Sequence, residues 1–325
     1  MVISKFRKKK GLGVIMSDKI YVVGHKSPDT DSVCSAIALA KLKELMGETN
    51  VVPCSAGKLN KETEYVLNFY GVAIPEVLES VEAKQKLILV DHNEYGQAVA
   101  GADQATLVQI VDHHKVGGFQ TAEPLYVRIE PVGSTCTIVA QCFKEKGFTP
   151  DKAIAGILLA AILSDTVIFK SPTCTELDKT VAAELAAIAG VEPMAWGIGM
   201  FQASSSLADR SNQSMIEEDL KAFTMGPHKV GVGQVSLMGL AGFEDVRASL
   251  TAAIEAHRVA QEMRYLCLMI TDILTDATEL IVTGDNPEEV AKAFGKELVK
   301  GSVDLPGVLS RKKQVVPQMT TYFSA

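Results

Sequence analysis

Three short apolar runs in the first 115 residues, Ile20–Val23, Leu87–Val90 and Leu107–Val111, each give way within two residues to a histidine or an aspartate. Runs this continuous suit strands buried on both faces, as in a parallel sheet covered on each side. Parallel strands present their carboxyl ends along one edge, so the residues just past each run converge in space despite their distance in the chain. Helical patterns separate the runs: Asp31 to about Met46, Glu62–Tyr70, Thr137–Phe143, Ala153–Leu163 and Leu177–Ala189, with Val51–Cys54 a further strand. The fold class this predicts is α/β, built on a parallel sheet with helices on both faces.

The residues at that edge are rich in donors. After the first run come His25, Asp29 and Asp31, after the second Asp91, His92 and Asn93, and after the third Asp112, His113 and His114. Asp31 alone suits a helix N-cap and His25 alone a structural histidine. Yet four of the chain's six histidines fall in these stretches, and that repetition favours a metal site. Asp165, closing the helix 153–163, adds another carboxylate. The candidate ligands are therefore His25, Asp29, Asp31, Asp91, His113 and Asp165. Nitrogen and carboxylate donors without thiolates suit Mn²⁺, Co²⁺, Fe²⁺ or Zn²⁺ better than Ca²⁺ or Mg²⁺. Two such ions would balance the four carboxylates, leaving no surplus charge for a polyanion. Cations must come from elsewhere, and Lys221, Arg311 and Lys312 are available.

At 325 residues the chain has room for two domains. Small and polar residues near 204–211 read as a linker between a unit at 16–203 and a smaller one at 212–325. The first fifteen residues read as a disordered extension. The second unit is expected to hold helix 214–223, strand 230–237, helix 243–263, strands 266–273 and 279–283, and helix 287–298, a mixed α/β pattern. Gly133-Ser134-Thr135 is either a helix cap or a cradle for phosphate, and Arg311-Lys312-Lys313 either a solvated turn or a phosphate clamp. A net charge of −7 argues against nucleic acid. Six cysteines without a C-x-x-C pair read as reduced cytosolic thiols, and no apolar run is long enough to span a membrane.

Taken in order, His25-x-x-x-Asp29-x-Asp31, Val90-Asp91-His92-Asn93, Asp112-His113-His114, Ser164-Asp165 and Ser310-Arg311-Lys312-Lys313-Gln314 resemble the motifs of the family II inorganic pyrophosphatases, in the DHH phosphoesterase superfamily. The resemblance covers nearly all of the chain after Met16. It implies hydrolysis of pyrophosphate to two phosphates by a cytoplasmic homodimer, with the active site in the cleft between the domains. It implies two Mn²⁺ per subunit, Co²⁺ as a substitute, and Mg²⁺ arriving with the substrate. By motif position one ion takes His25, Asp29, Asp91 and Asp165, and the other Asp31, Asp91, His113 and Asp165. His114, Lys221, Arg311 and Lys312 would hold the substrate, a metal-activated hydroxide would attack it, and Asp112 and His92 would orient the ligands. The rivals are a DHH phosphoesterase acting on oligonucleotides, cyclic dinucleotides or polyphosphate, and a silent phosphate sensor. The second domain lacks the glycine-rich, histidine-containing motif of the former, and no ligand position is lost as the latter would require.

Overall fold

The computed structural model describes residues 19–204, 210–240 and 242–325. The proposed extension at 1–15 lies outside them, as does most of the proposed linker. The first unit runs β1 (Ile20–Val23), α1 (Thr30–Leu45), β2 (Val51–Ser55), α2 (Lys61–Tyr70), β3 (Glu76–Val77), β4 (Lys86–Val90), β5 (Thr106–Asp112), β6 (Tyr126–Ile129), α3 (Thr135–Glu145), α4 (Lys152–Asp165), α5 (Glu176–Ala189) and α6 (Pro193–Ser204). Its strands form one six-stranded sheet in the order β3-β2-β1-β4-β5-β6, and every pairing is parallel. The order reverses between β1 and β4, the point where such sheets open a crevice at their carboxyl edge.

Side-chain alternation explains how these strands are covered. Val22, Ile88, Val90 and Val111 face the core shared with the α-helices, while Val23, Leu87, Leu89 and Ile110 face a second core under Ala98, Val99 and Ala102. Helices thus lie on both faces, unequally: α-helices pack on one, and a short 3-10 turn at Ala102–Gln104 with its flanking loops covers the other. Helix α4 runs through the first core, with every residue from Ile154 to Leu163 buried, as expected of a helix apolar all round.

The second unit contains α7 (Asn212–Glu217), β7 (Lys221–Met225), β8 (His228–Leu237), α8 (Phe243–Ala260), β9 (Tyr265–Asp272), β10 (Ala277–Gly284), α9 (Glu288–Ala293), β11 (Ser302–Pro306) and α10 (Val316–Ser324). Its five-stranded sheet has the order β11-β10-β9-β8-β7; β8 and β9 are parallel and the other pairs antiparallel. The helix expected at 214–223 is instead α7 followed by β7, because Lys221–Met225 pairs with β8 through a turn at Gly226, whose φ is +57°. The helix expected at 287–298 stops at Ala293, ahead of Gly295 at φ +63°. Met238 and Ile273 of this unit pack into the first unit's core, so the two units meet through an apolar contact. Among the described residues no single helix is long and apolar enough to cross a membrane.

Candidate metal centre

The turn after β1 delivers three donors because α1 begins there. Asp29 caps the helix, its Oδ1 accepting from Ser32 N at 2.9 Å, which leaves Oδ2 facing His25 Nε2 at 3.3 Å. His25 Nδ1 lies 2.8 Å from the Lys26 carbonyl, so that nitrogen donates and Nε2 turns toward the carboxylates. His113 repeats the device, with Nδ1 3.0 Å from the Val132 carbonyl. A histidine anchored in this way presents a fixed nitrogen to a metal.

Asp91 stands in the middle. It follows β4 in a left-handed conformation, φ +59°, that few non-glycine residues adopt. Its two oxygens face different histidines: Oδ2 lies 3.3 Å from His25 Nε2, and Oδ1 lies 3.4 Å from His113 Nε2. His113 Nε2 is also 3.3 Å from Asp165 Oδ2 and 3.9 Å from Asp31 Oδ2. The donors fall into overlapping groups whose atoms lie within 4.8 Å of one another: Asp31, Asp91, His113 and Asp165; His25, Asp29 and Asp91; and Asp91, His113 and His114. The first is the complete ligand set expected for one ion. The second lacks Asp165, which does not join His25 and Asp29.

Asp31 is buried and held by the start of α3. Ser134 Oγ donates to Oδ1 at 2.7 Å, Cys136 N to Oδ1 at 2.9 Å and Thr135 N to Oδ2 at 2.6 Å. The helix N-terminus at 133–135, open in sequence to a cap or a phosphate, thus holds the protein's own carboxylate. Asp178 secures it from behind, accepting from Gly133 N at 2.8 Å and Thr137 Oγ1 at 2.6 Å. Glu62 binds both Thr30 Oγ1 at 2.7 Å and Ser164 Oγ at 2.5 Å, tying the first turn of α1 to the end of α4. Sequence reasoning missed both Asp178 and Glu62. Thr175-x-x-Asp178 does carry the spacing of a capping box, but nothing in it indicates reach to a second helix.

Packing so many carboxylates away from water perturbs them. Burial and then Asp91 push Asp31 up to about 7, and burial with Asp31, Asp29 and Asp91 raises Asp165 well above the carboxylate range. Burial and Lys221 both oppose a charge on His25, yet the neighbouring Asp29 and Asp91 push it up to about 10. Burial opposes ionisation of Asp91 as well, but His113 and His25 hold it well below the usual value. Among the described residues, no hydrogen bond reaches the buried Asp91 Oδ2. A basin with protons held among buried acids and an unsatisfied carboxylate oxygen at its centre fits a divalent cation, and its all-nitrogen-and-oxygen donor set fits a transition ion.

His92 and Asp112 differ from each other. Asp112 Oδ1 accepts from His113 N at 2.7 Å and lies 2.8 Å from His114 Nδ1, while Oδ2 accepts from Asn93 Nδ2 at 2.5 Å. Its carboxylate therefore orients the two histidines. Among the described residues, His92 Nδ1 meets only the Val90 carbonyl, at 2.8 Å, and its Nε2 has no partner; its ring stands edge-on 6.5 Å from His25. Burial pulls it down to about 4, and it meets no ligand carboxylate.

A cavity of about 150 Å³ opens between the units, lined by Asp29, His113, His114 and Asp165 on one side and by Lys221, Arg311 and Lys312 on the other. Lys312 Nζ reaches within 3.3 Å of His113 Nε2, and burial lowers its pKa despite Asp165 and Asp91 nearby. Arg311 lines the cavity but turns its guanidinium to Asp219, donating to the carbonyl and, at 2.9 Å, to Oδ1. Arg311–Val315 forms a π-helical turn, with Lys313 N donating to Ser310 Oγ at 3.2 Å.

Comparison with known proteins gives the same reading. Residues 19–162 match the DHH family N-terminal domain and residues 198–322 the DHHA2 domain. A manganese-dependent inorganic pyrophosphatase of Methanothrix thermoacetophila is 43% identical over 310 residues, 95% of this chain and 99% of the relative. That of Bacillus subtilis is 40% identical over 304 residues, 93% of this chain and 98% of the relative. The crystal structure of a Methanococcus jannaschii protein assigned to the family II inorganic pyrophosphatases is 38% identical and superposes with a TM-score of 0.85, over 94% of this chain and all of that one. With both domain types in order and such identity along almost its whole length, the chain belongs to the family of manganese-dependent, family II inorganic pyrophosphatases.

Proposed function

We propose that the protein hydrolyses inorganic pyrophosphate to two phosphates at the cleft between its units, using two Mn²⁺ per subunit, with Co²⁺ as a substitute and Mg²⁺ entering with the substrate. The observation that carries this reading is the division of Asp91, one oxygen toward each histidine-bearing donor group. A carboxylate so placed suits a bridge between two cations. Bound divalent ions would lower the pKa of a water near them and neutralise phosphoryl oxygens.

The chain's own residues do the rest. His25, Asp29 and Asp91 would hold one ion and Asp31, Asp91, His113 and Asp165 the other, with Asp165 shared if it moves toward the first group. Lys221, Arg311 and Lys312 would bind the anion's oxygens, and His114, fixed through Nδ1 by Asp112, would present Nε2 to it. Arg311 must leave Asp219, or share it, to reach the substrate. Residues 16–203 and 212–325 are the two functional domains in this reading. We place the enzyme in the cytoplasm, consistent with six free thiols, and propose a homodimer joined along edge strand β6, where Tyr126 and Val127 are exposed.

The test is phosphate release after chelation and restoration of Mn²⁺, with pyrophosphate compared against a dinucleotide. Asp91→Asn should abolish the pyrophosphate activity while the circular dichroism spectrum stays native. Near-normal turnover in that variant would refute the assignment.

A further inference from the structure

The chain leaves α4 by an unusual route. Just after Asp165, Val167, Ile168 and Phe169 all adopt left-handed backbone, at φ +50°, +50° and +64°. Two of these are β-branched, for which that region is a steric outlier, and strain of this kind concentrates where structure serves function. The turn is closed by Ile168 N to the Leu163 carbonyl at 2.8 Å and Ser171 N to the Thr166 carbonyl at 2.8 Å, and Val167 and Ile168 are buried. The surroundings therefore hold it firmly.

What the turn presents is the second unit's docking point. Lys170 Nζ donates across the cleft to the Ile273 carbonyl at 2.8 Å and to Asp276 Oδ1 at 2.8 Å. Ile273 itself is buried in the first unit's core. Two residues beyond Lys170, the Pro172 carbonyl accepts from Lys313 Nζ at 2.7 Å, and the adjacent Lys312 is the residue that reaches His113. One short segment thus starts at a metal-site carboxylate and ends on two grips of the opposite unit. We infer that Lys170 is a positioning residue: clasping the Ile273–Asp276 corner from the left-handed turn, it holds the second unit where Lys312 and Lys221 overhang the carboxylates. Lys170 touches neither substrate nor metal ligand in this arrangement. It acts on the closed geometry of the cleft. The inference rests on the pyrophosphatase reading for its kinetic consequence and on geometry alone for its conformational one.

Both consequences are measured on the full chain loaded with Mn²⁺. Lys170→Met keeps the aliphatic stem and removes both donations, to the Ile273 carbonyl and to the Asp276 carboxylate, whereas Lys170→Arg keeps a charged donor for each. If closure is weakened, a larger share of substrate binding energy goes into closing the free enzyme. KM for pyrophosphate should then rise about three- to tenfold in Lys170→Met with kcat within about twofold, and Lys170→Arg should stay within about twofold of the parent. Small-angle X-ray scattering without substrate should give a larger radius of gyration for Lys170→Met than for the parent, and a parent-like one for Lys170→Arg. A parent protein inactive on pyrophosphate would refute the functional reading, while the scattering comparison would still decide the clasp. An unchanged radius of gyration in Lys170→Met, or an equal KM loss in Lys170→Arg, would overturn the inference.

Discussion

Asp178→Ala should be costly far out of proportion to its distance from the donors. The carboxylate is fully buried and accepts from Gly133 N at 2.8 Å, Thr137 Oγ1 at 2.6 Å, Thr175 N at 2.7 Å and Thr175 Oγ1 at 2.6 Å. Alanine leaves both hydroxyls free to rotate toward other acceptors, but the two backbone N–H groups cannot. Each orphaned donor, one of them the Thr175 N–H that closes the α5 capping box, costs about 1–3 kcal/mol. A total near 4 kcal/mol lowers the melting temperature of a unit this size by about 10 °C. Asn at the same position should recover most of the loss, because its Oδ1 can take both backbone N–H groups while its amide N–H₂ meets only the Thr137 hydroxyl, which can turn to accept. The damage should also reach the metal centre, since Gly133 and Thr137 flank the N–H groups that grip Asp31. Mn²⁺ affinity, titrated calorimetrically well below the transition, should fall about 10- to 100-fold. Thermal melts of the metal-free variant followed by circular dichroism test the first step. A melt within about 2 °C of the parent would refute the reasoning from orphaned donors.

Other expectations rest on the same geometry. Lys312→Ala and Arg311→Ala should weaken pyrophosphate binding while Mn²⁺ content by elemental analysis stays unchanged; lost metal would show that these cations serve the metal site. Without metal, His25 is pushed up to about 10 and Asp31 up to about 7, so protons occupy the basin near neutrality and must leave as an ion enters. Mn²⁺ affinity should therefore climb as pH rises from about 6 to about 8, and calorimetry in buffers of different ionisation enthalpy should register released protons; no release would contradict the proton-filled basin. Gly156→Ala, ordinarily favourable inside a helix, should instead destabilise by about 1–3 kcal/mol in urea unfolding, because a Cβ there runs into the Tyr70 ring. An unchanged or raised midpoint would show that the ring can move aside.

The donor set was readable because parallel topology converts three chain-distant strand ends into one edge. His25, Asp91 and His113 needed only the apolar runs before them. What escaped the sequence is what depends on partners. Lys221–Met225 became a strand because β8 offers it a ladder, a tertiary preference that outweighs a local helical pattern. The edge strand β6 has only four residues. Helix α6 carries two glycines that lower its propensity. Glu62 and Asp178 are ordinary helix-start acids by spacing, and their reach to Ser164 and Gly133 exists only once α2, α3, α4 and α5 are packed. Lys170 carries no mark of its role in the sequence, since nothing local signals the left-handed turn that aims it.

The split of donors between the units has one more consequence. The candidate metal carboxylates and imidazoles sit on one wall of the cleft, and Lys221, Arg311 and Lys312 sit on the other, partly offset by Glu218 and Asp219, so the gap resembles a partly charged capacitor. Its plates attract, and Lys312 reaches to His113 on the acidic side. Cations alone would repel the basic plate and a polyanion alone the acidic one, whereas a cation layer followed by an anion layer gives a stack of alternating sign from wall to wall.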